Sequence, residues 1–405
     1  MKIIKIGIRH NLLYPIMSII FSFFSDLDSI IIEEIFFFGN KLVFGLVVFL
    51  SEFIFGAFLY KYQKKSLSIE KSNTKNKANV SVIDKYKSNN NKLGLQLLLL
   101  ANSFFVLSEF VISTFCFRQF VDLSRSLDIR LKSMLTFWSA FFCYFLLKMP
   151  VVKHQKCSLI IIFVCLTLII ILEGIVNTIY NKSGFSRFIK IIGLYFIKYM
   201  FSAILEVNQK YLLDYEFLNP FYILMIEGIY GFIFTFIFNI IVASPFKILQ
   251  KKSQEHNNDD IKILISLIIC FILYFVFSGG RNVYRLITNK IYSPMAKTFI
   301  DGFFVPLLII FYYIIKNDFQ IRQEGDLSFR FFICNLILSI IIVFCNCVYN
   351  ELFILYCCDL EYDTFMEISG RATLKNEISP LLPAKKIEIQ DGDNLYYIDY
   401  EDNDE

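Results

Sequence analysis

The chain is poor in the residues from which most enzyme centres are built. Its three histidines are scattered at His10, His154 and His256, and its ten cysteines form no C-x-x-C pair. A zinc site has no ligand set to draw on, and neither a metal nor another cofactor is expected. There is no P-loop, no G-x-S-x-G and no spaced Asp or His set to hold a metal against a phosphate, so enzymatic chemistry is not expected. A TVGYG-like filter loop and a ring-forming acidic motif are also missing, which argues against an ion-selective pore. Glycine is scarce, with 16 residues, which limits close helix packing. A net charge of +4 is too small to point to nucleic acid. The first apolar run lacks a small-residue cleavage site, so membrane insertion would use the first helix itself.

What the chain does have is apolar bulk. Of its 405 residues 56% are hydrophobic, above the roughly 45–50% of soluble domains, and the mean hydropathy is +0.56. The expected class is an all-α polytopic membrane protein, for which each span needs roughly 20 mainly apolar residues. About ten candidate spans follow in order. They are residues 11–24 (short, interrupted by Pro15), 35–60, 93–117, 131–147, 157–176, 189–209, 220–243, 261–281, 295–315 and 331–355. Residues 1–60 carry the first two spans and 61–92 form a basic, Ser- and Asn-rich linker of disordered type. Residues 93–176 carry spans three to five, 189–356 spans six to ten, and 357–405 an acidic disordered tail.

Two stretches share an unusual pattern. Glu52-Phe-Ile-Phe-Gly56 and Glu227-Gly-Ile-Tyr-Gly231 both read E-x-x-aromatic-G inside an apolar span. Ser126-x-x-x-Arg130 and Ser293-x-x-x-Lys297 form a weaker echo before spans four and nine. Five helices duplicated to ten give two copies of opposite orientation, an inverted repeat with a substrate site between the halves. Lysines in the even-numbered connections and the N-terminus put both termini in the cytosol, although Lys247, Lys251 and Lys252 fall on the other side. In this reading the first short connection carries Asp26, Asp28, Glu33 and Glu34.

Ionisable residues within spans are costly and mark functional or paired groups. On that ground Lys198, Glu206 and Gln209 of the sixth span, and Lys297 and Asp301 of the ninth, are candidate solute-binding residues, with Asn350 at the end of the tenth. Glu52 and Glu227 are candidates for the repeat interface or a proton relay. The four-residue spacings Glu206–Lys210 and Lys297–Asp301 equally allow self-neutralised pairs. Arg281 and Arg285 read as membrane anchors or as an anion-attracting mouth, and Glu109 as a packed, hydrogen-bonded polar residue.

Together these stretches resemble the drug/metabolite transporter superfamily, and within it the F-type branch of the solute carrier 35, nucleotide-sugar transporter-like family. The resemblance is carried by IEGIYG at Ile226–Gly231, by FVFSGGRNVYRLITNKIYSPMAKTFIDGFFVPLLIIF, by CVYNELFIL, and by FLSEFIFG with Ser51 where glycine is usual. It covers about residues 35–360 and is better in the second half; the short first helix and the segment IRLKSM depart from it. It implies ten helices, inverted five-helix repeats and alternating access of an organic solute, with Glu52, Glu206, Gln209, Glu227, Lys297, Asp301 and Asn350 at the matching positions.

In the tail, Glu377-Ile-Ser-Pro-Leu381-Leu382 matches an acidic dileucine pattern. Its resemblance to sorting signals implies adaptor proteins as partners and a lysosome- or vacuole-like membrane, with Golgi or ER as alternatives. Asn181-Lys-Ser183 is a glycosylation sequon in a connection assigned to the lumen. Cys357-Cys358 suits palmitoylation. Two functions stay open at this stage. One is a secondary transporter of an organic, anionic solute, such as a nucleotide sugar or related metabolite, with Lys198 and Lys297 offsetting its charge. The other is a transport-inactive membrane scaffold that kept the fold, for which the basic linker would be essential. A homodimer is compatible with either.

Overall fold

The computed structural model describes residues 4–6, 13–34, 41–73, 92–119, 127–149, 151–180, 185–242, 259–292, 294–318, 326–355, 360 and 364. Eleven helices run through them: α1 (Leu13–Glu34), α2 (Lys41–Asn73), α3 (Lys92–Gln119), α4 (Met134–Leu146), α5 (Lys153–Tyr180), α6 (Phe185–Asp214), α7 (Pro220–Val242), α8 (Asp259–Ile291), α9 (Pro294–Phe303), α10 (Val305–Asp318) and α11 (Asp326–Tyr349). Two short strands, β1 (Ile4–Ile6) and β2 (Phe353–Leu355), pair antiparallel with Lys5 opposite Ile354.

The solvent logic of a soluble protein is inverted. Large apolar side chains cover the outside, such as Ile160, Phe163 and Ile171 on α5, Ile233, Ile237 and Ile241 on α7, and Leu264, Ile268 and Ile272 on α8. Carboxylates, amides and lysines are buried instead, among them Glu52, Asn102, Glu206, Lys210, Glu227 and Lys297. Apolar surface outside and satisfied polar groups inside is what a hydrocarbon solvent selects. Nine helical stretches in the described residues are long and apolar enough to cross a membrane, α9 and α10 counting as one. The chain is an all-α polytopic membrane protein.

Several boundaries differ from the sequence expectation. The first helix is not short: α1 has 22 residues, with Pro15 in its first turn, where the missing N–H costs nothing. It therefore absorbs the acids expected in the first connection; Asp26 and Glu33 stay helical because they meet Lys132 and Lys41 inside the bundle. α2 begins only at Lys41 and runs on to Asn73, so the first part of the expected linker is helical. Among the expected spans, α4 is the short one. Its 13 residues span about 20 Å, and a helical turn at residues 127–131 precedes it. α8 has 33 residues and ends about ten later than expected, which moves Arg281 and Arg285 from a mouth into the bundle. The rest of the linker, the tail with Glu377, Leu381 and Leu382, Asn181, Ser126, Ser293 and Cys357-Cys358 lie outside the described residues.

Packing follows the scarce glycines. α2 and α7 form the most extensive contact, the two helices that carry the repeated pattern. At their crossing a Cβ on Gly56 would lie 2.7 Å from the backbone N of Met225, and one on Gly228 2.5 Å from that of Phe53. Only a missing side chain lets two backbones approach this closely. α8 uses its Ser278-Gly-Gly280 step in the same way, taking Phe55 of α2 over Gly279 and Phe21 of α1 over Gly280. Further pairs are α1 with α8, α3 with α6, α5 with α11, α2 with α8, α3 with α7, and α4 with α6.

Candidate functional site

α1, α2, α3, α6, α8 and α9 converge on a continuous polar system around two adjoining chambers. The outer one, about 240 Å3, is lined by residues at helix ends (Glu33, Lys41, Asp128, Lys132) and extends inward to Glu109, Lys198, Arg281, Arg285 and Asp301. The inner one, about 90 Å3, is lined by Glu52, Glu109, Gln209, Glu227, Arg285 and Lys297 among others. Glu109, Phe110, Ser202, Arg281 and Arg285 line both.

At the inner chamber, Gln209 is the joint between opposite charges. Its Nε2 donates to Glu227 Oε2 at 2.8 Å, and its Oε1 accepts from Lys297 Nζ at 2.8 Å. Asn102 Nδ2 donates to the other Glu227 oxygen at 2.7 Å, and Asn282 Nδ2 to Glu52 Oε1 at 2.7 Å. The paired glutamates of the repeated pattern are thus each held by an asparagine from a neighbouring helix. Glu206 is fully buried. It accepts from Ser139 Oγ at 3.1 Å and lies 3.3 Å from Arg285 Nη2 and 3.9 Å from Lys297 Nζ.

Arg285 is the hub of the outer chamber, with its Nη2 2.6 Å from Asp301 Oδ2. Ser22 Oγ donates to Asp301 at 3.2 Å, which brings α1 to the same cluster. Asp26 lies 2.5 Å from Lys132 and 3.5 Å from Arg281. Lys198 does reach the chamber, but its Nζ lies 2.5 Å from Asp128 Oδ1, and Tyr199 Oη donates to the same oxygen at 2.9 Å. Beneath the chambers, Arg130 pairs with Glu173, which also accepts from Asn335 Nδ2 at 3.0 Å.

Lys198, Glu206, Gln209, Lys297, Asp301, Glu52 and Glu227 therefore belong to one connected polar system, but two pairings differ from the spacing argument. Lys297 and Asp301 do not neutralise each other; each takes a partner from another helix, because α9 directs them towards α6 and α8. Glu206 and Lys210 also part. Lys210 stays out of the site: it is fully buried and sits 3.0 Å from Asp214. It donates to the carbonyls of Asn289, Lys290 and Tyr292 at 3.0–3.3 Å. A cation there caps the C-terminus of α8. Arg281 and Arg285 are paired interior residues, not membrane anchors. Asn350 is not in the site; its Nδ2 donates to Asn346 O at 2.9 Å, closing the end of α11.

Sequence reasoning undervalued Glu109, which lines both chambers and whose Oε1 has no hydrogen-bond partner. Asp26, Asn102, Asp128 and Asn282 were missed. An isolated polar residue in an apolar span was the available signal for Asn102. Asp26 and Asp128 gave none, because at the sequence level they lay in connections. No family model and no curated protein matches the chain.

Proposed function

We propose that the chain is a secondary transporter that moves a small organic solute by alternating access, on a drug/metabolite transporter type of fold. The observation that carries this reading is the pair of chambers, ringed by charge and set where helices of both halves meet. The outer chamber begins at the ends of α1 and α2 and before α4, and the polar system ends at Glu227 and Lys297. On the β1–β2 side neither chamber continues: Lys210 holds the last carbonyls of α8, His154 Nε2 lies 3.6 Å from Glu351, and neither residue lines a chamber. In this reading the route is open to one side and closed to the other, one of the two states alternating access needs.

Helix pairing supports two inverted five-helix repeats. Exchanging each helix of the first half with its counterpart five spans later turns α1–α8 into α6–α3 and α2–α8 into α7–α3, while α2–α7 and α5–α11 map onto themselves. The contacts observed include both members of each such pair. With the β1–β2 face assigned to the cytosol by lysine bias, the outer chamber faces the lumen of an endomembrane compartment, lysosome- or vacuole-like where the dileucine pattern acts.

The solute is small. A chamber of about 240 Å3 lies below the roughly 300–1,000 Å3 of drug-sized sites, which favours a compact metabolite over a nucleotide sugar. Lys198 and Lys297 would meet an anionic group of that solute only by releasing Asp128 or Gln209. Accumulation from a metabolite mixture into proteoliposomes, read by mass spectrometry, tests the reading. One chemical class should accumulate, and Asp301→Asn should abolish it. Well-folded protein that accumulates nothing would shift the assignment to a membrane scaffold.

A further inference from the structure

Around the chambers nearly every charge already has a partner, and the exceptions are informative. Seven carboxylates line the two chambers against six lysines and arginines. Among these side chains, two buried polar atoms have no hydrogen-bond partner: Glu109 Oε1, an acceptor, and Arg285 Nε, a donor. Both residues line both chambers, so the two side chains meet at the junction between them. Unsatisfied buried polar atoms cost free energy and call for an explanation. One donor and one acceptor left open at the same junction are complementary to a molecule bearing both signs.

We infer that the transported solute is a zwitterion of amino-acid type, its ammonium seated on Glu109 and its carboxylate on the Arg285 Nε–H. This rests on the transport reading and narrows its substrate class. A simple anion would leave the Glu109 Oε1 acceptor unmet, and a simple cation would leave the Arg285 donor unmet while adding charge beside Lys198 and Lys297. A zwitterion adds no net charge to a ring that is close to balance. Phe110 and Tyr274 add aromatic side chains to the lining of the outer chamber. The size agrees, since about 240 Å3 outside and 90 Å3 inside suit an amino acid or short peptide. Both open atoms are shut off from solvent in this conformation, so a solute reaches them only when the junction rearranges. That gives the differential binding between states that transport requires.

The test uses the purified full-length protein and three matched sets of probes: amino acids and dipeptides, the amines left by their decarboxylation, and the acids that lack the amino group. Zwitterions should raise the melting midpoint by a few degrees, and neither other set should. Glu109→Gln should abolish that rise while its ligand-free midpoint stays near wild type. If Glu109→Gln does not fold, Glu109→Asp keeps the charge on a shorter arm and should weaken the rise without abolishing it. A rise from the acids alone, from the amines alone, or one that survives Glu109→Gln overturns the zwitterion assignment, as does no rise from any set. Uptake separates the two levels of the argument. Zwitterion binding without counterflow in proteoliposomes overturns transport and leaves the site, whereas counterflow of an acid or amine overturns the site and leaves transport.

Discussion

Gln209 shows why single residues here have unequal weight. A neutral amide spans the gap between Glu227 and Lys297, so neither charge touches the other, and each can be altered without stripping its neighbour of every partner. Lys297→Ala leaves Glu206 with Arg285 and Ser139 and leaves Gln209 bonded to Glu227. Uptake should fall at least about tenfold while the melting profile stays close to wild type; unchanged uptake would remove Lys297 from the transport path. Arg285→Ala differs, because it takes the arginine from both Asp301 and Glu206 at once. Breaking a buried charge cluster by removing one member costs about 3–5 kcal/mol, so this variant should show a clearly lowered midpoint before any transport is measured. Asp128→Asn takes the carboxylate from Lys198 Nζ and Tyr199 Oη, so its midpoint should fall below wild type; an unchanged midpoint would mean that the Lys198 pair adds no stability.

Helices in this chain are placed by what their few small residues allow. Gly228 lets α7 lie on the backbone of α2, and Gly279 and Gly280 let α8 receive two phenylalanine rings. Gly228→Ala would put a methyl 2.5 Å from the Phe53 amide nitrogen, so α2 and α7 must separate. Overpacking of that kind costs about 1–3 kcal/mol. The midpoint should drop, and more than for Gly193→Ala, where an added Cβ meets nothing within 4 Å; equal effects would show that the α2–α7 crossing tolerates separation. This crossing was legible in the sequence, since the twin E-x-x-aromatic-G stretches mark it. So was the existence of most spans, because a membrane span is written as a long apolar run. Ends were not legible. The last three turns of α1 and α8 carry Asp26, Glu33, Arg281 and Arg285, and a hydropathy argument stops a helix at such residues. The fold continues it because partners on other helices neutralise them. For the same reason the site was legible in its membership and not in its pairing: spacing within one helix suggested Lys297 with Asp301, whereas the bundle pairs Lys297 with α6 and Asp301 with α8.

At the scale of the whole molecule, the smallest element decides the largest question. β1 precedes α1 and β2 follows α11, and the two pair residue for residue, so the two ends of the bundle lie on one face. Between them the chain must cross an even number of times. The long apolar helices number nine among the described residues, and the short α4 with its preceding turn is the proposed tenth crossing. Its residues 127–147 together would reach about 30 Å as a helix, matching the hydrocarbon core. The expected outcome is definite: in sealed vesicles, tags at the N-terminus and after Leu355 should be exposed on the same side. A cysteine replacing Ser113, which lines the outer chamber, should be labelled from the opposite side. Tags on opposite sides would mean that α4 does not cross, and two halves of unequal crossing number could not be related as inverted repeats. Labelling of the Ser113 position from the tag side would reverse the direction in which the chamber opens. It would also leave Lys210, on the carbonyls of α8, guarding the wrong face.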